Sequence, residues 1–432
     1  MLIPDVPPAL LQALRRAAGQ RRLALVGGVV RDLLLHRHHQ DPWRGLPDLD
    51  LVLEGQAAEL VDALLQELRQ VLGSAVQLRA RPHGRFGTVE VELDLPTDQG
   101  GTWLLDLASA RCEDYTAPGC NPSVRPGTLE DDLARRDFSV NAMALVLSAS
   151  PGDVDLLDPY GGQADLASRS LRLLHGQSLQ DDPTRLFRAA RYAARLGFDL
   201  DAASLHQVQS TLARWPWPWH WGDPAELVPP ALGTRLRMEL ELLLEREPWR
   251  LALQALQRWH GLVLLDPGLQ NDRHWGRRLA WGERLGLPLI MVLVAGADDP
   301  QALARRLQLP IRQQSWIEQA LQLRDQLHQL AQTSAWPAQP SGWCALLEAP
   351  GLQPQAVALA LVLGCGPRRP LLQWWARWRH VAAPLSAGQL LAQGWRPGPE
   401  LGQELHRLRG QHLDRGEPAS GRTEATSQRR DP

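Results

Sequence analysis

Lysine is missing altogether: all 46 basic residues of this 432-residue chain are arginine. Every cationic contact therefore falls to planar guanidinium groups, which grip phosphate in bidentate fashion and stack on bases. Cysteine is scarce. Cys112, Cys120, Cys344 and Cys365 form no Cys-x-x-Cys pair and lack zinc-ligand spacing, which argues against a disulfide framework and for a reducing, cytoplasmic setting. No apolar run is long enough to span a bilayer, and the first residues carry no signal-peptide pattern. Net charge is only −2, so no overall basicity points to nucleic acid. Binding depends on where charges sit, and RNA binding stays open. The remainder is ordinary for a globular chain, with 44% hydrophobic and 22% charged residues. Its length predicts about two to four domains.

Residues 21–148 alternate short strands and helices. Leu23–Val26 reads as an apolar strand running into the turn Gly27-Gly28, Val29–Leu35 as a helix and Asp48–Leu53 as a second strand. Ala57–Val71 carries Leu60, Leu64, Leu65 and Leu68 at helical spacing, Phe86–Leu95 alternates Val89, Val91 and Leu93, and Trp103–Leu107 is a further strand. The polar stretch Glu113–Gly127 reads as a loop. The expected class is α+β, built around a small mixed sheet. From about residue 162 strand signals vanish, and Leu/Ala/Arg/Gln helices are expected at 181–197, 230–246, 248–264, 300–309, 312–332, 353–363 and 371–379. Trp215-Pro216-Trp217-Pro218-Trp219-His220-Trp221 interrupts them and cannot be helix interior. Two readings stand for it: loop packing, or stacking on RNA bases. Residues 412–432 are polar and expected to be disordered.

Alternate residues of a strand share a face, so Asp48 and Asp50 present two carboxylates side by side. Such charges repel unless a proton or divalent metal sits between them. The expected occupant is Mg2+ beside a phosphate-bearing ligand. Gly27-Gly28 lets the backbone approach that ligand, the next helix offers free N–H groups, and Arg31 in its first turn adds a guanidinium. Two-metal phosphoryl transfer asks for a third carboxylate, and Asp106 is the best candidate. By itself Asp-x-Asp also suits a solvated strand face; the glycine turn upstream favours the metal reading.

A second cluster is Arg135-Arg136-Asp137-Phe138 leading to Asn141. One arginine is expected on the ribose or triphosphate and the other on Asp137, with Asn141 bonding the sugar or fixing the turn. The third cluster is Asp181-Asp182-Pro183-Thr184-Arg185. It reads either as an N-cap before an ordinary basic helix or as a base-reading pair. In the second reading Asp182 and Arg185 share a helix face at i and i+3. The carboxylate accepts from the exocyclic amine of cytosine or adenine while the guanidinium donates to the neighbouring acceptor; uracil and guanine present the opposite pattern. Arg188 and Arg191 continue along the helix toward the triphosphate.

Together these pieces resemble the class II tRNA nucleotidyltransferases, or CCA-adding enzymes, with their bacterial poly(A) polymerase relatives. The resemblance rests on Gly27-Gly28-x-x-Arg31-Asp32 with Asp48-x-Asp50, Arg135-Arg136-Asp137-Phe138 with Asn141-Ala142-Met143-Ala144, and Asp158-Pro159-Tyr160-Gly161-Gly162-x-x-Asp165-Leu166. Asp181-Asp182-x-x-Arg185 follows, then Gly388-x-x-Leu391-x-x-Gly394 with Pro397-Gly398-Pro399-Glu400-Leu401-Gly402. It implies a polymerase β-like head at 1–148, a helical neck at 149–247 holding the nucleotide-selecting helix, an RNA-binding body at 248–380 and a tail at 381–411. It further implies catalytic Asp48, Asp50 and Asp106, the first two as Mg2+ ligands. The nucleotide site would comprise Gly27, Gly28, Arg31, Arg136, Asp137, Asn141, Asp182, Arg185, Arg188 and Arg191. Substrates would be CTP and ATP, and the partner the tRNA 3′ end and acceptor arm; no membrane is involved. One departure is Asp181, where the family usually carries Glu.

Within that family four activities share the scaffold: CCA, CC-only, A-only and poly(A) addition. Gly84-Arg85-Phe86-Gly87-Thr88-Val89 has the form seen in CCA enzymes, and no long basic extension follows, which disfavours poly(A) synthesis. The segment between Arg111 and Arg135 is near full length, which disfavours CC-only addition; A-only addition stays open. A non-catalytic RNA-binding descendant is the rival from another class, and the intact carboxylates argue against it.

Overall fold

A computed structural model describes residues 3–45, 48–72, 76–83, 87–95, 101–147 and 154–416. The chain forms two compact units, residues 1–265 and 266–432. Among the described residues no helix is long and apolar enough to cross a membrane.

The first unit opens with α1 (Pro8–Ala18), β1 (Leu23–Val26), α2 (Gly28–His39), β2 (Leu49–Leu53), α3 (Ala57–Leu72), β3 (Gln77–His83), β4 (Thr88–Asp94) and β5 (Thr102–Ser109). It continues with β6 (Arg111–Asp114), β7 (Ser123–Pro126), α4 (Leu129–Ala134), β8 (Ala144–Leu147) and β9 (Val154–Leu157). Seven strands form one mixed sheet in the order β3-β4-β5-β2-β1-β8-β9. Within it only β2 and β5 pair in parallel. All four residues of β1 are buried, as expected for a strand covered on both faces. In β4 buried and half-buried residues alternate, the signature of one covered face. Ala24, Val26, Val52, Leu129, Leu133 and Ala144 pack together beneath α4.

The expected loop at Glu113–Gly127 is loop over 115–122 only, and strands flank it as a hairpin. Its β6 and β7 pair antiparallel from Arg111 opposite Pro126 to Asp114 opposite Ser123. Prolines and charges hide it from a hydrophobic-alternation test, because it is held by its ladder and by the Arg125–Asp114 pair at 2.8 Å rather than by a buried face. The poly(A)-discriminating residues Gly84, Arg85 and Phe86 lie outside the described residues, as do 417–432 of the expected disordered tail.

Helices follow: α5 (Gly162–Ala167), α6 (Ser178–Asp181), α7 (Thr184–Leu196), α8 (Ala202–Arg214), α9 (Thr234–Arg246) and α10 (Trp249–Arg258). Both α9 and α10 pack against α7, so the first unit runs past residue 247, where a boundary was expected. The helix expected over 181–197 is α7, which starts at Thr184, while Asp181 ends the separate α6. Asp182 is extended (φ −144°, ψ 94°) between α6 and α7, because the ring of Pro183 disfavours a helical residue before it. Asp182 and Arg185 therefore do not share a helix face.

The Trp-rich segment packs inward. Trp217 and Trp219 are 1% and 4% exposed, and the indole N–H groups of Trp215, Trp217 and Trp219 donate to the carbonyls of Trp219, Gln180 and Pro224. Loop packing is the outcome for these three rings; Trp221, at 39%, is the exposed one.

The second unit is helical. The 22-residue helix Ile311–Gln332 packs against Pro354–Leu363, whose buried residues Ala356–Leu361 cover all sides of the helix. Pro340–Leu347 packs against Pro399–Asp414, and the Ser341 hydroxyl donates to Asp414 at 2.6 Å. Residues 412–414 are thus helical, not part of a disordered tail.

Candidate active site

Strand register brings the carboxylates together. In the parallel β2–β5 pair Asp50 lies opposite Asp106, and neighbouring strands about 4.8 Å apart put such residues on the same face. Asp48 completes the cluster: Asp48, Asp50 and Asp106 each offer an oxygen, and these oxygens lie within 4.8 Å of one another. Burial, then the Asp48 charge, pushes the Asp50 carboxyl up to about 6, and Asp106 adds to the effect.

The glycine turn delivers cations and backbone to this cluster. Gly27 has φ 69°, the left-handed region in which a side chain is strained. A Cβ there would sit 3.1 Å from Arg136 Nη1 and 3.6 Å from Asp50 Oδ2. The positive φ favours glycine, and any side chain there would crowd the Arg136 guanidinium. The helix α2 begins at Gly28 with no side-chain cap, leaving its first N–H groups available to an anion.

Arg31, expected on the phosphates, is 3% exposed and engaged within the protein. Its Nε and Nη2 donate to Asp32 at 2.8 and 3.0 Å, and its Nη1 to Asn141 Oδ1 at 2.9 Å. Asn141 passes the contact on, donating through Nδ2 to Asp137 at 3.0 Å. Burial opposes the Asp137 charge, yet Arg188 and Asn141 outweigh it and hold the carboxyl below the usual range.

The arginine pair is wired differently from expectation. Both Arg135 and Arg136 bond Asp132, at 2.6 and 2.9 Å, while Asp137 is met by Arg188 Nε at 2.7 Å. Asp132, missed in the sequence, is 0% exposed. Burial favours its neutral form, but Arg136 and Arg135 overcome this and keep it ionised. Asp132→Ala is expected to cost about 3 kcal/mol of stability, because it strips the half-buried Arg136 guanidinium of its acceptor and leaves Arg135 with Glu113, at 3.1 Å; urea unfolding measures it.

Asp182 Oδ1 accepts from the Thr184 N–H and hydroxyl, at 3.1 and 2.6 Å, and Oδ2 is paired with Arg235. Arg185, 4% exposed, donates to Ser178 Oγ at 2.8 Å and to the Arg135 carbonyl at 3.1 Å. These two acceptors hold its planar group. Asp181 feels the Arg185 charge, but burial dominates and raises its carboxyl. Beside Arg185, His175 is pushed down by burial and then by that cation. Arg188 also reaches Glu239 at 3.2 Å, and Arg191 bonds Glu239 at 2.6 Å and Glu247 at 3.4 Å.

These groups surround one cavity of about 460 Å3, within the range of small-ligand sites. Gly28, Asp50, Arg136, Asp137, Asn141, Asp182, Arg185 and Arg188 all line it. Arg191 and Arg31 are not among its lining residues; they brace those that are. Residues that sequence reasoning did not assign to the site also line it, among them Arg111, Glu113 and Tyr115 from the hairpin, Tyr192 from α7, and Arg235 and Glu239 from α9. Six arginines (Arg111, Arg135, Arg136, Arg185, Arg188, Arg235) face five carboxylates (Asp50, Glu113, Asp137, Asp182, Glu239). The wall is thus near neutral, and a polyphosphate there needs added positive charge.

Comparison with known proteins shows the family of the chain. Residues 23–172 match the family described as poly A polymerase head domain. The chain is 38% identical over 312 residues to the CC-adding tRNA nucleotidyltransferase of Deinococcus radiodurans, a match covering 71% of this chain and 72% of that one. With the A-adding tRNA nucleotidyltransferase of Halalkalibacterium halodurans it shares 40% identity over 213 residues, 47% of this chain and 43% of the relative, so it spans under half of that protein. Among solved structures, the Thermotoga maritima CCA-adding enzyme complexed with tRNA has the same fold, with TM-score 0.65 at 23% identity over 97% of this chain and 95% of that one. Since the match to the Deinococcus protein spans more than two thirds of both proteins, the chain belongs to the tRNA nucleotidyltransferase family of enzymes.

Proposed function

We propose that this enzyme adds CCA to tRNA 3′ ends, using CTP and ATP. The observation that carries the reading is one cavity lined both by Asp50 of the carboxylate cluster and by Asp182 and Arg185. Transfer chemistry and base selection then act on the same bound nucleotide. Three carboxylate oxygens within 4.8 Å of one another, with Asp50 raised by its like-charged neighbour, make a hard oxygen donor set suited to Mg2+. Asp48, Asp50 and Asp106 would hold it. Bound there, Mg2+ supplies Lewis acidity to the α-phosphate and charge neutralisation to attacking and leaving oxygens.

The chain's own groups do the rest. The N–H groups at the start of α2 and the Arg136 guanidinium, 3.1 Å from the Cβ position of Gly27, receive the triphosphate. Arg188 adds charge from the cavity wall, and Arg191 fixes Glu239 behind it. Asp182 and Arg185 read the base edge, and Arg235 and Thr184 set the Asp182 carboxylate. The tRNA 3′-hydroxyl attacks the α-phosphate, and pyrophosphate leaves. All four cysteines are free thiols, in keeping with a reducing cytoplasm.

The hairpin β6–β7 favours complete CCA addition, because Arg111, Glu113 and Tyr115 enter the cavity from it and can adjust the pocket between C and A. A second reading, CC addition alone, is favoured by the identity to the Deinococcus enzyme. Transcripts ending before the first C, before the second C and before the terminal A decide it, each tested with CTP, ATP and both. Full CCA addition predicts extension of all three to the same final length. Failure of the last transcript with ATP leaves the CC reading, and long A ladders would indicate poly(A) synthesis. EDTA is expected to abolish every product and excess Mg2+ to restore them; incorporation that survives chelation rules out the metal assignment.

A further inference from the structure

The residues just before Asp182 are held from outside. Helix α6 is four residues long, too short to be stable by itself, and Asp182 leaves it in an extended conformation. Two bonds from elsewhere fix its last carbonyls. The indole N–H of Trp217 donates to Gln180 O at 3.0 Å, and the Gly119 N–H, at the tip of the β6–β7 hairpin, donates to Asp181 O at 3.2 Å. The Gly119 carbonyl in turn accepts from Ala231 N at 3.1 Å, four residues before Arg235, the partner of Asp182.

Gly119 sits where little else fits. Its φ is +73°, and an added Cβ would lie 3.0 Å from Trp217 Cδ1 and 3.2 Å from Pro229 Cβ. Trp217 is itself fully buried, edge-on to Trp215 with ring centroids 5.0 Å apart. The Trp-rich segment, the hairpin tip, the end of α6 and the approach to α9 thus converge on one glycine.

We propose that Trp217 and Gly119 form a latch that sets the position of Asp182 against the hairpin. Both are positioning residues for base selection. The inference rests on the reading that Asp182 and Arg185 choose the nucleotide, and it assigns the Trp-rich segment a role in that choice instead of in RNA stacking. Discrimination by hydrogen bonds depends on leaving the wrong base unpaired, so a carboxylate freed to shift by even part of an ångström accepts more partners. The correct base loses less, because it still finds its bonds after the shift.

The test uses the full-length protein on a tRNA transcript lacking CCA, and compares incorporation of CTP with UTP for Trp217→Ala, Trp217→Phe, Gly119→Ala and Arg185→Ala, with melting temperature recorded for each. Trp217→Ala and Gly119→Ala are expected to lower the CTP-over-UTP ratio by roughly tenfold, mainly through a lower KM for UTP, while kcat with CTP falls less. Trp217→Phe keeps the aromatic packing but lacks the N–H, so its ratio is expected between wild type and Trp217→Ala. If Trp217→Ala does not fold, Trp217→Phe and Gly119→Ala carry the decision. A lowered melting temperature with an unchanged ratio means a merely structural role and overturns the latch. Arg185→Ala separates the levels. If it relaxes selection and the latch variants do not, only the latch fails; if it leaves selection unchanged, the base-reading assignment fails and the latch with it.

Discussion

Asp50→Asn is expected to lower nucleotide incorporation by at least about 1,000-fold, which corresponds to roughly 4 kcal/mol of lost transition-state stabilisation. The argument is geometric. Asp50 lies opposite Asp106 in the parallel β2–β5 ladder, and with Asp48 it forms the one group of three such ligands found among the described residues. An amide keeps the shape and removes the charge that a hard cation requires. The fold should not suffer. Burial and the Asp48 charge raise Asp50 to about 6, so near neutral pH its ionised form is a repulsive element of the metal-free protein. Removing it is expected to raise the metal-free melting temperature by a few degrees while abolishing activity. Single-turnover incorporation with Mg2+ and a thermal melt in EDTA measure the two effects. Turnover within tenfold of wild type would show that the transfer site lies elsewhere.

How legible the site was depended on how local each contact is. The carboxylates were readable because Asp48 and Asp50 stand two apart where a strand begins, Asp48 one residue before β2 and Asp50 within it, and the apolar run around Asp106 marks it as a strand. The glycine turn was readable because Gly27 needs a conformation that other residues avoid. Contacts that join distant segments left no such mark. Nothing near Arg135 and Arg136 singles out Asp132 from the acidic run Glu130-Asp131-Asp132, and the choice of Arg235 by Asp182 spans 53 residues. The strand β3 was missed because it lies at the sheet edge, where Arg79 and Arg81 pair with Glu92 and Glu90 across the ladder instead of burying an apolar face. One miss had a local signal. Pro183 already disfavours a helical Asp182, and it displaced the expected i, i+3 pair into a corner between α6 and α7. The two residues still reach one cavity, held by Arg235 and the local Thr184 on Asp182 and by Ser178 and the Arg135 carbonyl on Arg185.

That corner makes Arg185 the second residue whose loss should be large, and of a different kind. Arg185→Ala is expected to reduce discrimination against UTP by roughly 10- to 100-fold, the value of one good bidentate contact to a base edge, while leaving transfer itself dependent on Mg2+ and partly active. The guanidinium is 4% exposed and is oriented by Ser178 Oγ at 2.8 Å and the Arg135 carbonyl at 3.1 Å. Its plane is therefore set before a nucleotide arrives, and under the proposed reading an acceptor on the base is rewarded where an N–H is refused. Arg185→Lys separates charge from shape. Lysine keeps the cation but has no fork, and its three donors rotate freely. If planar edge reading selects the base, Arg185→Lys relaxes the CTP-over-UTP ratio nearly as far as Arg185→Ala, although it retains more of the CTP rate. If the lysine variant keeps wild-type selectivity, a positive charge beside Asp182 suffices, and the base is read by the carboxylate that Arg235 and Thr184 hold.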